Sequence, residues 1–408
     1  MSKKKLITLF VIIIILTNLL TFGLSNKLAL QFDSKVVVPR NKYEYLTSTA
    51  EEFSKVQIVE SIIKENYLED VEEDKLMDGQ LKGLVQSLDD PYSQYLTPEE
   101  YEDLNQQTSG EYGGIGVIVT PGDDNLITVV SPIKGTPGEK AGLKPEDKII
   151  SVEGQEFMAD EMDKAVKIMK GEPNTDVTLT IMRKSKDGGN ETFDVDITRE
   201  KIRLETVETE ILDGNIGYVN IASFDELTYE DFKEELDNLE EQEVEGLVVD
   251  LRNNPGGLLD VTADIADEFL GEGVIVYTEN KNGEKEYYNS EKSKIDLPLV
   301  VLVNEGSASA SEILSGAIKD YGRGELIGTK TFGKGVVQRI SELPSNDGSA
   351  IKLTISEYFT PNGTNIHGVG IEPDIVVELP DDVEYIGVEN LEEDLQLQKA
   401  IEVLKEKI

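Results

Sequence analysis

Residues 298–338 read PLVVLVNEGSASASEILSGAIKDYGRGELIGTKTFGKGVVQ. The apolar run Leu299 to Val303 predicts a buried strand. A small polar segment, Asn304 to Ser309, follows it. A helix comes next, with Ala310, Ile313, Leu314, Ala317, Ile318 and Tyr321 on one face. A serine at a strand-to-helix turn exposes its hydroxyl beside backbone N–H groups, where an acyl-transfer nucleophile is needed. Ser307, Ser309 and Ser311 all lie near that turn. Ser309 with Glu312 also makes a capping box, so local sequence allows a purely structural role. Lys334 follows in a Gly-Lys-Gly frame. Gly328 to Lys334 fits the first part of a phosphate-binding loop, but Gly335 and a β-branched run stand where that loop needs Ser or Thr and then a helix.

The base that would activate such a serine is limited by composition. The chain has 408 residues, no cysteine and one histidine. A serine–histidine triad would have to use His367, whereas a serine–lysine dyad needs no histidine. The lysine must be neutral to accept a proton. Its pKa must then fall from about 10.4 toward neutrality, by burial among apolar groups. A drop of about three units corresponds to roughly 4 kcal/mol of destabilised charge.

Several stretches carry a resemblance in the same order along the chain. They are DLRNNPGG at 250–257, NEGSASASE at 304–312, Asp320-Tyr-Gly-Arg323, and TFGKGVVQ at 331–338. Together they resemble the C-terminal processing (tail-specific) peptidases, over roughly residues 45–380. The resemblance implies Ser309 as nucleophile, Lys334 as general base and Gln338 as the residue orienting the lysine. It implies an oxyanion site from the N–H of Ala310 and of Gly256 or Gly257. Lys334 and Gln338 are four residues apart, and an even spacing on a strand would put them on one face. Asp320 matches a family aspartate. It lies about 16 Å from Ser309 along a helix axis at ~1.5 Å per residue, so a capping or pairing role is expected.

The expected fold class is α/β multidomain, with an N-terminal membrane helix, a helical segment, an inserted PDZ domain and a ClpP/crotonase-like serine peptidase core. The expected divisions are 1–26, membrane anchor; 27–108, stalk and helical region; 109–200, PDZ domain; 201–380, peptidase core; and 381–408, C-terminal helix. In the core, strands 217–221 and 246–252 flank an amphipathic helix near 228–241, and that rhythm predicts a mainly parallel sheet. A helix is expected over 258–270. The segment 390–407 predicts an amphipathic helix that could dock on the N-terminal helices or a second subunit.

Residues 110–200 resemble a PDZ domain. Gly113, Gly114, Ile115 and Gly116 precede an alternating strand, with Gly135-x-Pro137 and Ala141-Gly-Leu143 behind them. The resemblance implies that this loop holds a protein's terminal carboxylate while the tail adds a strand beside it. The expected partners are therefore protein or peptide substrates with apolar C-termini. Lys170 stands where family members often carry Arg; it is either a coupling residue or a solvated charge.

Residues 6–24 form an uncharged apolar run after Lys3, Lys4 and Lys5, long enough to cross a hydrocarbon core. An uncleaved single-pass anchor with an extracytoplasmic catalytic part is expected, the alternative being a cleaved signal peptide. Helical patterns fill 48–107. Val56, Val59, Ile62 and Ile63 make one stripe; Met77, Leu81, Leu84 and Leu88 make another. By resemblance such helices pair subunits, so a homodimer is expected. A formal net charge of −42 disfavours nucleic acid. No stretch reads as a metal site or dinucleotide loop, and no cofactor is expected. The expected activity is serine endopeptidase; the rival is a degenerate PDZ scaffold that recruits cell-envelope enzymes.

Overall fold

The computed structural model describes residues 2–25, 30–32, 35–185, 188–291, 295–345, 347–380, 383 and 385–408. The chain divides into two compact units, residues 1–83 and 84–408.

The first unit opens with the helix Lys3–Ser25. Its Lys3–Thr21 stretch, 19 residues of mean hydropathy 2.0, is long and apolar enough to cross a membrane. A short hairpin follows, Leu30–Phe32 against Lys35–Val37. Then come the helices Arg40–Glu52 and Ser54–Asn66 and the start of Glu73–Gln86. The first two of these bury no residue, and Val56, Val59, Ile62 and Met77 are exposed. Most positions of the apolar stripes read from sequence are therefore exposed among the described residues.

The second unit is built around a six-stranded sheet. Its strands, in order, are Val207–Leu212, Ile216–Ile221, Gly246–Asp250, Leu299–Val303, Glu325–Gly328 and Ile375–Val376. Only the first pair is antiparallel. Every residue of Gly246–Asp250 and Leu299–Val303 is buried, as a parallel sheet covered on both faces requires. One face packs Leu247, Val249 and Val301 against the helices Thr228–Glu241, Leu259–Phe269 and Ala310–Asp320. The other face packs Val248, Val300 and Leu302 under Leu397, Ala400 and Leu404 of the helix Leu395–Lys405. The C-terminal helix thus docks on the sheet of its own unit, where its apolar stripe meets a complementary apolar face.

A second, antiparallel sheet contains Lys285–Ser290, Gly273–Asn280, Ala350–Phe359 and Val336–Glu342. The strand Gln94–Leu96 joins it by pairing with Ala350–Lys352, inside a region whose sequence pattern is mainly helical. Thr97 then caps the helix Pro98–Ser109 in a complete capping box with Glu100.

The inserted domain has the strand order Asn190–Thr198, Asp176–Lys184, Lys148–Val152, Ile127–Pro132, Val117–Pro121, leaving Val117–Pro121 at the edge. Ile127, Ile149, Leu179 and Ile181 are fully buried beneath the helix Met162–Met169. The chain enters and leaves this domain through a two-stranded stem, Glu111–Gly114 against Glu200–Arg203.

Candidate active site

The strand Leu299–Val303 ends in a turn that delivers Ser309 to the first turn of the helix Ala310–Asp320. Three serines compete there, and their partners separate them. Ser307 Oγ donates to the Leu251 carbonyl at 2.7 Å and is fully buried. Ser311 Oγ, also fully buried, donates to the Asn254 carbonyl at 3.0 Å. Ser309 is partly accessible and lines the cavity described below. It holds φ 54° and ψ −111°, a conformation that L-residues rarely adopt.

The residues that hold this turn are buried polar groups. Asn304 Oδ1 accepts from the N–H groups of Asn253 (2.8 Å) and Gly306 (3.0 Å). Asn254 donates to the Ile221 carbonyl at 2.7 Å, and its Oδ1 accepts from the Gly256 N–H at 2.8 Å. The 253–257 turn is thereby fixed against the serine turn. A Cβ on Gly256 would lie 2.9 Å from Ser309 Cβ and from the Ala310 nitrogen, so only glycine fits. The Asn254 bond also distinguishes the two glycines that the sequence offers as alternative donors. The Gly256 N–H is occupied by Asn254, whereas the N–H groups of Gly257 and Ala310 have no partner among the described residues.

Glu312 does more than cap. It is fully buried and accepts four hydrogen bonds. Ser309 N–H (3.0 Å) and Lys334 N–H (2.8 Å) donate to Oε2. Thr331 Oγ1 (2.6 Å) and Gly333 N–H (2.8 Å) donate to Oε1. One carboxylate therefore ties the serine turn to the loop that carries Lys334. Sequence spacing showed only its local half, the capping position.

Lys334 lies in that loop, before the strand Val336–Glu342 begins. A register shift falls between Val337 and Gln338. The even-spacing argument for Lys334 and Gln338 therefore fails, yet both side chains line one cavity. That cavity has a volume of about 480 Å³ and is also lined by Ser309, Ala310, Gly256 and Gly257. The Lys334 amine sits 5.2 Å from the Tyr92 ring centre. Burial pushes its pKa below the ordinary lysine value. Lys352 on the neighbouring strand pushes the same way, against the pull of Glu312 and Asp90. The Gln338 amide donates to Thr354 Oγ1 and the Val336 carbonyl, both at 3.4 Å. Among the described residues no hydrogen bond joins Ser309, Lys334 and Gln338 to one another.

The remaining candidates fall elsewhere. His367 is exposed and lines a different cavity, edge-on to Tyr92 at 6.2 Å. Asp320, at the end of the serine helix, accepts from the Asn362 N–H at 2.9 Å and so holds the turn after Phe359. A strand follows the 328–334 loop, so it is not a phosphate-binding loop. In the inserted domain, Gly113 and Gly114 lie in the stem ladder, Ile115 is buried, and Gly116 has φ +68°. The N–H groups of Ile115 and Gly116 have no partner among the described residues. Lys170 forms no ion pair among the described residues; its amine sits 5.1 Å from the Tyr112 ring centre.

Family models match three parts of the chain. Residues 20–100 match the N-terminal domain of the activating protease CtpB, 128–183 a PDZ domain, and 215–377 peptidase family S41. The carboxy-terminal processing protease CtpA of Bacillus subtilis is 41% identical over 331 residues, which cover 81% of this chain and 70% of that protein. The chain belongs to peptidase family S41. A CtpA-like serine protease of Staphylococcus aureus is 39% identical, covering 80% of this chain and 65% of that one. The solved structure of an S41 protease from Bacteroides fragilis shares the fold, with a TM-score of 0.52 at 15% identity over 80% of this chain and 90% of that one. The chain is thus a serine-type peptidase with a PDZ domain, in the carboxy-terminal processing protease family.

Proposed function

We propose that this S41 peptidase is an endopeptidase that captures protein C-termini on its PDZ domain and cleaves with a Ser309–Lys334 dyad. The observation that carries the reading is one cavity holding a partly accessible, strained serine and a half-buried lysine whose amine has no carboxylate partner among the described residues. Neutral Lys334 takes the Ser309 proton as the hydroxyl attacks a peptide carbonyl. The oxyanion forms against the N–H groups of Ala310 and Gly257. The leaving amine receives a proton from Lys334, and water then attacks the acyl-enzyme with Lys334 again as base. Before attack the amine turns from the Tyr92 ring toward Ser309, and Gln338 steadies it; apo sites are often this loose.

The substrate tail extends the PDZ sheet at its edge strand Val117–Pro121, its carboxylate on the loop 113–116. An apolar tail is the expected ligand, a reading that the exposed Ile118 on that strand supports. The helix Lys3–Ser25 serves as a single-pass anchor, with the peptidase outside the cytoplasm, as Lys3 to Lys5 and the positive-inside rule favour. The exposed stripes on Ser54–Asn66 and Glu73–Gln86 support pairing with a second copy.

The test is cleavage of an unfolded protein with an apolar tail. Ser309→Ala and Lys334→Ala should each lower kcat by at least about a thousandfold, whereas His367→Ala should leave it unchanged. Full activity in either dyad variant rejects the mechanism. Because Lys334 must be neutral, activity should rise with pH, on an acid limb centred below the ordinary lysine value of about 10.4.

A further inference from the structure

Lys352 is a second amine in the catalytic cavity. It lies on the strand Ala350–Phe359 and lines the same volume as Ser309, Lys334 and Gln338. It is opposite Ile340 in the ladder, two rungs from the Gln338–Thr354 pair. The side chain is half-buried, and no carboxylate or hydroxyl binds its amine among the described residues. An unpaired cation held in a peptide-binding cavity is costly unless it acts there.

We propose that Lys352 is a positioning residue whose positive charge, acting across the cavity, favours the uncharged form of Lys334. The proposal deepens the dyad reading and rests on it. The groups facing Lys334 come from four elements. Glu312 from the serine helix and Asp90 from the 90–92 turn attract its charge. The Tyr92 ring lies under the amine, with His367 beyond that ring. Tyr358 faces the site from the Lys352 strand, its hydroxyl donating to the Ser309 carbonyl at 3.0 Å. Of these, Lys352 is the group that repels the Lys334 charge. Glu312 is already committed to four donors and cannot also bind an ammonium closely. Two amines sharing one site titrate as a pair, so one is neutral well before an isolated lysine would be.

The experiment is the pH dependence of Ser309 acylation by a fluorophosphonate probe on the full-length chain. Lys352→Met should move the acid limb upward by about half to one pH unit, a three- to tenfold loss of rate below the midpoint. Lys352→Arg keeps the charge and should keep the wild-type limb. Lys352→Gln serves if the Met variant fails to melt cooperatively. An unmoved limb in Lys352→Met, or an equal shift in Lys352→Arg, overturns the proposal while leaving the dyad intact. Wild-type labelling in Lys334→Ala overturns the dyad, and this proposal with it.

Discussion

Two glycine turns in this chain carry backbone N–H groups without a partner among the described residues, and they are built differently. The PDZ loop 113–116 leaves the Ile115 and Gly116 N–H groups without a partner among the described residues, at the start of the edge strand, and a two-stranded stem carries it. The 253–257 turn leaves Gly257 N–H without a partner among the described residues, but buried side chains fix Asn253, Asn254 and Gly256 around it. Behind it, Arg252 is fully buried between Asp250 (2.6 Å) and Asp394 (2.8 Å). The first turn has backbone and space; the second has backbone and a scaffold. Groups that meet a developing charge must be in place beforehand, whereas a tail-binding edge gains affinity from main-chain ladders and tolerates varied sequences.

The sharpest way to break this contrast is Gly256→Ala. The new Cβ would meet the Ala308 carbonyl oxygen at 2.7 Å and the Ala310 nitrogen at 2.9 Å, at φ +101°. The serine turn would have to move, displacing the Ala310 donor. Loss of one such donor costs about a hundred- to a thousandfold in kcat. Single-turnover kinetics should show that fall with little change in substrate binding. A variant with wild-type kcat would mean that the turn is not held rigid.

The scaffold itself is tested by Asp394→Asn. Asparagine can still cap the helix Leu395–Lys405 but leaves Arg252 with one anion. Removing a partner from a buried pair costs about 3–5 kcal/mol, and the surviving Asp250 favours the lower end. Burial alone would raise the Asp394 pKa, but Arg252 and the N–H groups of Leu397 and Gly387 hold it below the usual carboxylate value. Its stabilisation is therefore fully present above about pH 4 and fades as pH falls through the depressed value. Denaturant melts should show a large wild-type advantage at neutral pH that shrinks in strong acid.

Glu312→Gln perturbs the link between scaffold and base. Either amide orientation sets an NH₂ group against two donors, so a loss of about 2–3 kcal/mol in stability is expected. The variant also removes a carboxylate that attracts the Lys334 charge. Its acid limb should therefore move to lower pH, opposite in sign to Lys352→Met. A shift in the same direction would show that Glu312 acts through position alone.

The sequence revealed the scaffold better than the site. Strands 246–250 and 299–303 are buried on both faces, so they read as unbroken apolar runs. Gln94–Leu96 is too short to alternate, and it exists because Ala350–Lys352 lies beside it after some 250 residues of chain. The partners of Glu312 at Thr331, Gly333 and Lys334 are likewise set by tertiary structure, so only its capping position was visible. Lys334 and Gln338 line one cavity, but a loop and a bulge bring them there rather than the shared strand face that even spacing allows. The C-terminal helix showed its apolar stripe but not its target, because either face of an exposed sheet answers the same pattern.

The smallest effect separates the two turns most cleanly. A Cβ on Gly116, at φ +68°, would come within 2.4 Å of Thr136 Cβ. Thr136 Oγ1 donates to the Gly116 carbonyl at 2.9 Å, so the loop would lift from its support. Gly116→Ala should raise KM for a tailed substrate by about tenfold, the loss of roughly one or two hydrogen bonds to a carboxylate. Acylation of Ser309 by a small probe should be unchanged, because that reagent has no tail to capture. If probe labelling fell in step with KM, the two turns would be one coupled device, and the contrast between an open recognition edge and a fixed catalytic turn would fail.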